Sequence, residues 1–218
     1  TFLEIESFRK IASISSTVNE LLKFFKKFTE YYPTLSMLSE SVEFTQDIIK
    51  IVDAKIDRFG EIKDEASPLL KTIRKSINSL RSKINSSFSA ALSSNHNAGY
   101  LDEIRESVID NRRVLAVKAM YRKKVKGSIM GSSKTGSIIY IEPETTLQFH
   151  RELNNLEFEE REEITKILKE LTEFIRIYRP LLIDYQAYLT EIDVISAKTL
   201  YAKSINAVLP EISKKKYL

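Results

Sequence analysis

Apolar residues recur at three- and four-residue intervals along most of this chain, and those intervals predict helices. Val18, Leu21, Leu22, Phe25, Phe28 and Tyr32 form one stripe, with Thr17 placed to cap its start and Pro33 to close it. A second helical run covers about 42–54. Residues 56–62 set Gly60 between two isoleucines and read as a short hairpin or loop. Ser67-Pro68 then supplies an N-cap followed by proline at the first helical position. Behind it Leu70, Ile73, Ile77, Leu80, Ile84 and Phe88 hold the repeat to about Asn95. About thirty helical residues at 1.5 Å each extend about 45 Å.

The pattern changes between 98 and 144. Residues 107–118 read as two short strands around an Asp110-Asn111 turn, and 127–131 and 137–142 as two more, ended by Pro143. Four of the five glycines (99, 127, 131, 136) fall in this stretch. Helical spacing then resumes through Leu153, Leu156, Ile164, Ile167, Leu168, Leu171 and Ile175 and stops at Pro180. The middle of that helix, 157–163, is crowded with acids and is expected to face solvent nearly all round. A last helix covers about 182–208, with Leu189, Ile192, Ile195, Leu200 and Ile205 on its apolar side, and Pro210 follows as another breaker.

The expected fold is therefore mainly α. Two long helices, one entering and one leaving a small β-containing insert, should pack antiparallel as an arm with the insert at its tip. The helices at the two ends of the chain form a body. The expected boundaries are 1–97, 98–144 and 145–218, the first and last belonging to one discontinuous helical unit.

Composition narrows the functions. The chain has 218 residues, five Gly, five Pro and neither Cys nor Trp. That excludes a disulfide-built module, a zinc ribbon and a many-turned β-sandwich. No apolar run approaches the roughly 18 residues of a membrane span, and no signal peptide is visible in the sequence. No membrane partner is expected, and a reduced cytoplasm fits best. The sequence opens at Thr1 without an initiator Met, as expected of a piece of a longer protein.

Charge is uneven. Residues 105–134 hold nine basic side chains against two acids, a window of +7 in a chain of +4 overall. Arg112, Arg113, Lys118, Arg122, Lys123, Lys124, Lys126 and Lys134, interleaved with small polar residues on strands and loops, suit contact with phosphate oxygens, which needs charge and reach rather than a base-reading helix. The same pattern is also that of an ordinary charged surface loop. No aromatic-rich strand is present to stack single-stranded bases.

Candidate catalytic chemistry is thin. Gly127-Ser-Ile-Met-Gly131-Ser-Ser-Lys134-Thr135 looks like a nucleotide-binding loop, but Ser133 stands where glycine must precede the lysine, and a strand-like segment follows where a helix is needed. Glu159 and Glu163 share a helix face, yet Arg161 lies between them and no His or Asp completes a metal set. His96 and His150 are isolated, so no nucleophile–base–orienter set can be assembled. No catalytic, cofactor-binding or metal-binding residues are assigned.

Longer stretches carry a family resemblance. Val108-Ile-Asp-Asn-Arg-Arg-Val-Leu-Ala-Val-Lys118, Tyr121-Arg122, Gly127-Ser-Ile and Ser133-Lys-Thr-Gly-Ser-Ile-Ile-Tyr-Ile-Glu-Pro143 resemble the middle of bacterial MutS proteins, the DNA mismatch repair superfamily, and above all its type II branch. Gly60-Glu-Ile-Lys-Asp-Glu-Ala-Ser-Pro68, Leu153-Asn-Asn-Leu156, Glu191-Ile-Asp-Val-Ile-Ser-Ala-Lys198 and Ala207-Val-Leu-Pro-Glu-Ile212 extend it, in order, over nearly the whole chain. Ala116 stands where the type II pattern has proline, and Met130-Gly131 where it has His-Asp, as in a divergent relative.

The resemblance implies a helical core, two lever helices and a clamp that grips DNA without base specificity. It further implies a P-loop ATPase domain elsewhere in a dimeric parent, carrying ATP and Mg, with roles in DNA repair or control of recombination. Double-stranded or branched DNA is the implied partner. The ribosome is a further implied partner, and a Smr nuclease domain often closes such proteins. A module of another class, whose basic insert grips an acidic protein or ribosomal RNA, is the alternative.

Overall fold

The structure is a computed structural model that describes residues 2–208. Its elements run α1 (Ile5–Lys27), α2 (Pro33–Glu40), α3 (Asp47–Lys55), α4 (Pro68–Asn97), β1 (Leu101–Ile109), β2 (Arg112–Lys118), β3 (Gly127–Ser132), β4 (Ile138–Pro143), α5 (Glu144–Ile177) and α6 (Arg179–Ser204). Short 3₁₀ turns occupy Asp64–Ala66 and Ala119–Lys124. The described residues divide into two compact units, 2–63 with 168–208, and 64–167. None of the described helices is long and apolar enough to cross a membrane.

In the first unit the apolar faces of α1 and α6 meet. Val18 and Leu22 pack with Tyr185 and Tyr188, and Leu38, Val42 and Leu181 close around them. The buried hydroxyls are satisfied: Tyr185 donates to the Glu43 carbonyl at 2.8 Å, and Tyr188 shares a hydrogen bond with Ser39 at 2.9 Å. Several expectations need correcting here. Helix α1 begins a dozen residues before Thr17, because Ile5, Phe8 and Ile11 carry the repeat upstream; the Thr17 hydroxyl donates to the Ser13 carbonyl within the helix and caps nothing. Pro33 opens α2 instead of closing α1. The run predicted over 42–54 is helical only from Asp47. On α6 the inward residues are the two tyrosines, while Leu200 and Ile205 are exposed. Pro210 and the segment matched at 210–212 lie outside the described residues.

In the second unit, Ser67 caps α4 as its sequence requires: its Oγ accepts the Leu70 N–H at 3.0 Å, with Pro68 at the first helical position. All six predicted positions from Leu70 to Phe88 are buried. The helix ends with Gly99 at φ +73°, its N–H donating to the His96 carbonyl and the Tyr100 N–H to that of Asn95. This paired-bond stop is the one that glycine permits.

Helix α5 is tied to α4 in antiparallel order. Glu163 accepts from the Ser67 hydroxyl at 2.6 Å, Glu160 pairs with Arg74 at 2.7 Å, Glu157 pairs with Arg81 at 3.1 Å, and the Thr145 carbonyl accepts from Ser87. The acidic stretch is thus not solvated all round. Its outward acids, Glu159 and Glu162, are exposed, but Glu163 is buried.

Between these helices lies a four-stranded antiparallel sheet in the order β1-β2-β4-β3. Asp110 and Asn111, at φ 48° and 61°, form the predicted turn, the left-handed pair that a two-residue hairpin demands. Val114, Leu115, Ala116 and Val117 on the central strand β2 are all fully buried. One face packs Leu115, Val117 and Ile141 on Phe88 and Leu92 of α4 and on Val125. Gly127 sits where β3 passes closest to β4. A Cβ there would lie 2.1 Å from the Glu142 carbonyl oxygen.

Candidate nucleic-acid interface

The eight basic residues singled out in the sequence divide into two sets. Arg112 and Arg113, on β2, turn inward. Arg112 pairs at 3.0 Å with Glu142, whose side chain is fully buried and whose other oxygen is bonded to His150 Nδ1 at 2.5 Å. His150 is thereby a packing and pairing residue. Arg113 donates two hydrogen bonds to Glu106, and its guanidinium lies 4.3 Å from the centre of the Phe88 ring. Arg112 thus serves the buried Glu142, whereas Arg113 and Glu106 form a half-exposed pair.

Lys118, Arg122, Lys123, Lys124, Lys126 and Lys134 are all exposed, and none forms an ion pair with a described residue. The 3₁₀ turn Ala119–Lys124 carries three of them. It anchors on the sheet through Tyr121, which stacks near Tyr100 with ring centres 5.1 Å apart, and through the buried Val125 just beyond it. These anchors turn the cations outward. The sequence placed them on strands and loops; a helical turn this short has no apolar repeat by which it could be found.

Strand register locates three of the six cations along the sheet. Lys118 lies opposite Ile138, at the end where the 133–137 turn carries Lys134. Gly127 lies opposite Pro143 at the other end, which places Lys126 beside the start of α5, where its carbonyl accepts the Glu144 N–H. Lys118 and Lys134 thus lie toward one end of the sheet and Lys126 at the other. A six-residue strand measures about 20 Å, the rise of about six nucleotides along one strand of a duplex. Arg122, Lys123 and Lys126 also rim an open groove of about 730 Å³ floored by Ile129, Ile141 and Leu147.

The segment resembling a nucleotide-binding loop is a hairpin. Ser133 N donates to the Ile138 carbonyl, Gly136 N donates to the Ser133 carbonyl, and β4 follows directly. With no helix N-terminus behind it, it does not fit the phosphates and magnesium of ATP. Among the described residues no three His, Asp or Glu side chains gather as a metal site.

No protein-family model matches the chain. Curated relatives do. A protein named endonuclease MutS2 from Carboxydothermus hydrogenoformans is 36% identical over 182 residues, 84% of this chain and 23% of its own length. Proteins of the same name from Enterococcus faecalis and Ligilactobacillus salivarius are 31% and 32% identical, each over 94% of this chain and 26% of their own length. The chain thus spans about a quarter of the length of the relatives it matches.

Proposed function

Since the chain is a relative of the MutS family on its MutS2 branch, we propose that it is the lever-and-clamp portion of a MutS-like protein and binds DNA through phosphate contacts without reading bases. In this reading residues 98–144 are the clamp, α4 and α5 are the levers, and the remaining helices belong to the core of a dimeric cytoplasmic parent. The relatives' printed name, endonuclease, is that of enzymes that cut nucleic acid, and it supports a nucleic-acid partner for the parent protein. ATP, Mg and any nuclease chemistry belong to other parts of that parent, as does its role in repair or recombination.

One observation carries the reading: six exposed cations, none in an ion pair with a described residue, spread over both ends of a sheet whose Arg112 and Arg113 are paired with Glu142 and Glu106. Such cations retain their affinity for phosphate, and charges at two sheet ends about 20 Å apart suit an extended backbone better than a compact anion. About four simultaneous contacts imply a log–log salt slope of roughly −3.6 on duplex DNA. Fluorescence anisotropy with duplex DNA, a four-way junction and a structured RNA, each across a salt series, tests it. Equal affinity for unrelated duplexes with that slope supports the reading. Binding to RNA alone, or to none of the three, rejects it in favour of the ribosomal or protein-binding alternative.

A further inference from the structure

A second concave basic site lies in the unit formed by residues 2–63 and 168–208. Arg9, Ala12, Ser13 and Ser16 recur at helical spacing on one face of α1, and the small side chains among them leave an open pocket of about 550 Å³ against α3. Its floor is apolar, formed by Ile49, Val52 and Ile56. Arg58 and Lys63 reach it from the turn that follows α3.

That turn is tightly built. Ile56 and Ile62 form an antiparallel bridge, Asp57 N donates to the Glu61 carbonyl at 2.9 Å, and Lys63 N donates to that of Lys55 at 2.9 Å. The Asp57 carboxylate accepts the N–H groups of Phe59 and Glu61. Those bonds, the Glu61 N–H foremost, hold it below its usual range. It is therefore occupied within the turn.

Arg58 and Lys63 are oriented but not neutralised, while the charge of Arg9 is offset in part by the Asp57 carboxylate, which it helps to hold ionised. Arg9 donates to the Asp57 carbonyl, and Lys63 Nζ donates to the Asp53 carbonyl at 2.5 Å. Arg58 stacks at 4.7 Å over the exposed ring of Phe59. Carbonyl and ring partners leave the formal charge in place, and none of the three forms an ion pair with a described residue. Asp53 is the only acid among the lining residues. Arg9, Arg58 and Lys63 against Asp53 and, beside Arg9, Asp57 leave a net positive charge over an apolar floor, which makes a receptor for an anion with an uncharged body attached.

We propose that this pocket binds the phosphate of a nucleotide unit. Arg9, Arg58 and Lys63 hold the phosphate, the Ser13 and Ser16 hydroxyls supplement them, and Ala12 and Ile49 receive the uncharged part. The unit comes either as a free mononucleotide or as one residue of a nucleic-acid strand. The proposal is independent of the reading of the sheet, and its test removes that surface from the comparison.

The experiment uses the 218-residue chain carrying Arg122→Ala, Lys123→Ala and Lys124→Ala, so that strand binding at the sheet is suppressed. Acetylation of Lys63 is followed by mass spectrometry, with Lys198 as the internal reference. The probes are AMP, adenosine, inorganic phosphate and a 5′-phosphorylated 12-nucleotide single strand. AMP or the strand should slow Lys63 acetylation at least fivefold and leave Lys198 unchanged; adenosine should do nothing, and inorganic phosphate should protect only at higher concentration.

Arg58→Ala removes an exposed side chain and should weaken protection about tenfold, as expected for one charged hydrogen bond. Ser13→Glu places a carboxylate in the pocket from an exposed helical position and should abolish protection. Protection by the strand but not by AMP identifies a nucleic-acid strand as the source, and protection by both identifies the nucleotide unit itself. Lack of protection by either, equal protection by adenosine, or protection that survives both Arg58→Ala and Ser13→Glu would overturn the proposal. Loss of DNA binding at the sheet touches none of these outcomes.

Discussion

The two compact units hold their elements together in different ways. In residues 64–167 the side-chain ties between elements are largely ionic: Arg74 to Asp64 and Glu160, Arg81 to Glu157, Arg112 to Glu142, Arg113 to Glu106. In the other unit no ion pair between elements occurs among the described residues, and many of the ties are neutral. Tyr185 donates to the Glu43 carbonyl, Ser39 meets Tyr188, Asn19 donates to the Thr45 carbonyl, and Leu3 N donates to Thr172. The ion pairs Lys10–Glu6 and Arg176–Glu173 there lie within single helices. Both kinds of contact occur on α4, whose apolar stripe from Leu70 to Phe88 is buried and whose flanking charges bridge to α5 at the cost of desolvation.

The sharpest test of this contrast is Arg112→Ala. It strands the fully buried Glu142 with His150 as its remaining partner and should cost about 3 kcal/mol, read from urea unfolding. Ser67→Ala comes next, because that hydroxyl both caps α4 and donates to the buried Glu163. A loss of about 2 kcal/mol is expected. Tyr185→Phe removes a neutral tie and should cost about 1 kcal/mol. If it costs as much as Arg112→Ala, the division into ionic and neutral units is wrong.

Alkali offers a separate handle on the neutral unit. Burial above all holds the phenols of Tyr185 and Tyr188 above their ordinary value of 10.0. The folded chain keeps these protons where the unfolded chain releases them. Their contribution is whole below pH 10 and declines as pH rises through that value toward the folded-state pKa. Phenolate absorbance followed together with circular dichroism should show ionisation and loss of helix at the same pH. The smallest effect on stability is expected at the exposed cations: Arg122→Ala, Lys123→Ala and Lys124→Ala together should change it by less than about 0.5 kcal/mol. The same triple variant should flatten the DNA salt slope by about one to three units.

Features set by near neighbours were legible in the sequence. Ser67-Pro68 starts α4 because cap and proline act within one turn, and Asp110-Asn111 closes a hairpin because both tolerate a positive φ. Features set by distant partners were not. The acids of 157–163 looked solvated because Arg74 and Arg81 lie about eighty positions away, and only folding brings them opposite. Arg112 and Arg113 read as surface cations for the same reason: a basic run in sequence does not record which of its members will find a carboxylate. The early start of α1 was hidden by Ser15, a polar residue that is nevertheless buried and satisfies its hydroxyl on the Ile11 carbonyl. The pocket beside α1 left no linear signal, since Arg9, Arg58 and Lys63 belong to segments some fifty residues apart.

Strand β4 ends at Pro143 and α5 begins at Glu144, with no loop between them. The joint is braced on both sides: the Thr146 hydroxyl donates to the Pro143 carbonyl, and Glu142 is bonded to His150 two turns into the helix. A connection without slack behaves like a keyed shaft, in which turning the helix start must turn the strand. One alanine inserted after Pro143 would advance the helix by about 100° and carry His150 away from Glu142, whereas one inserted in the 133–137 turn at the far end of the sheet would be absorbed locally.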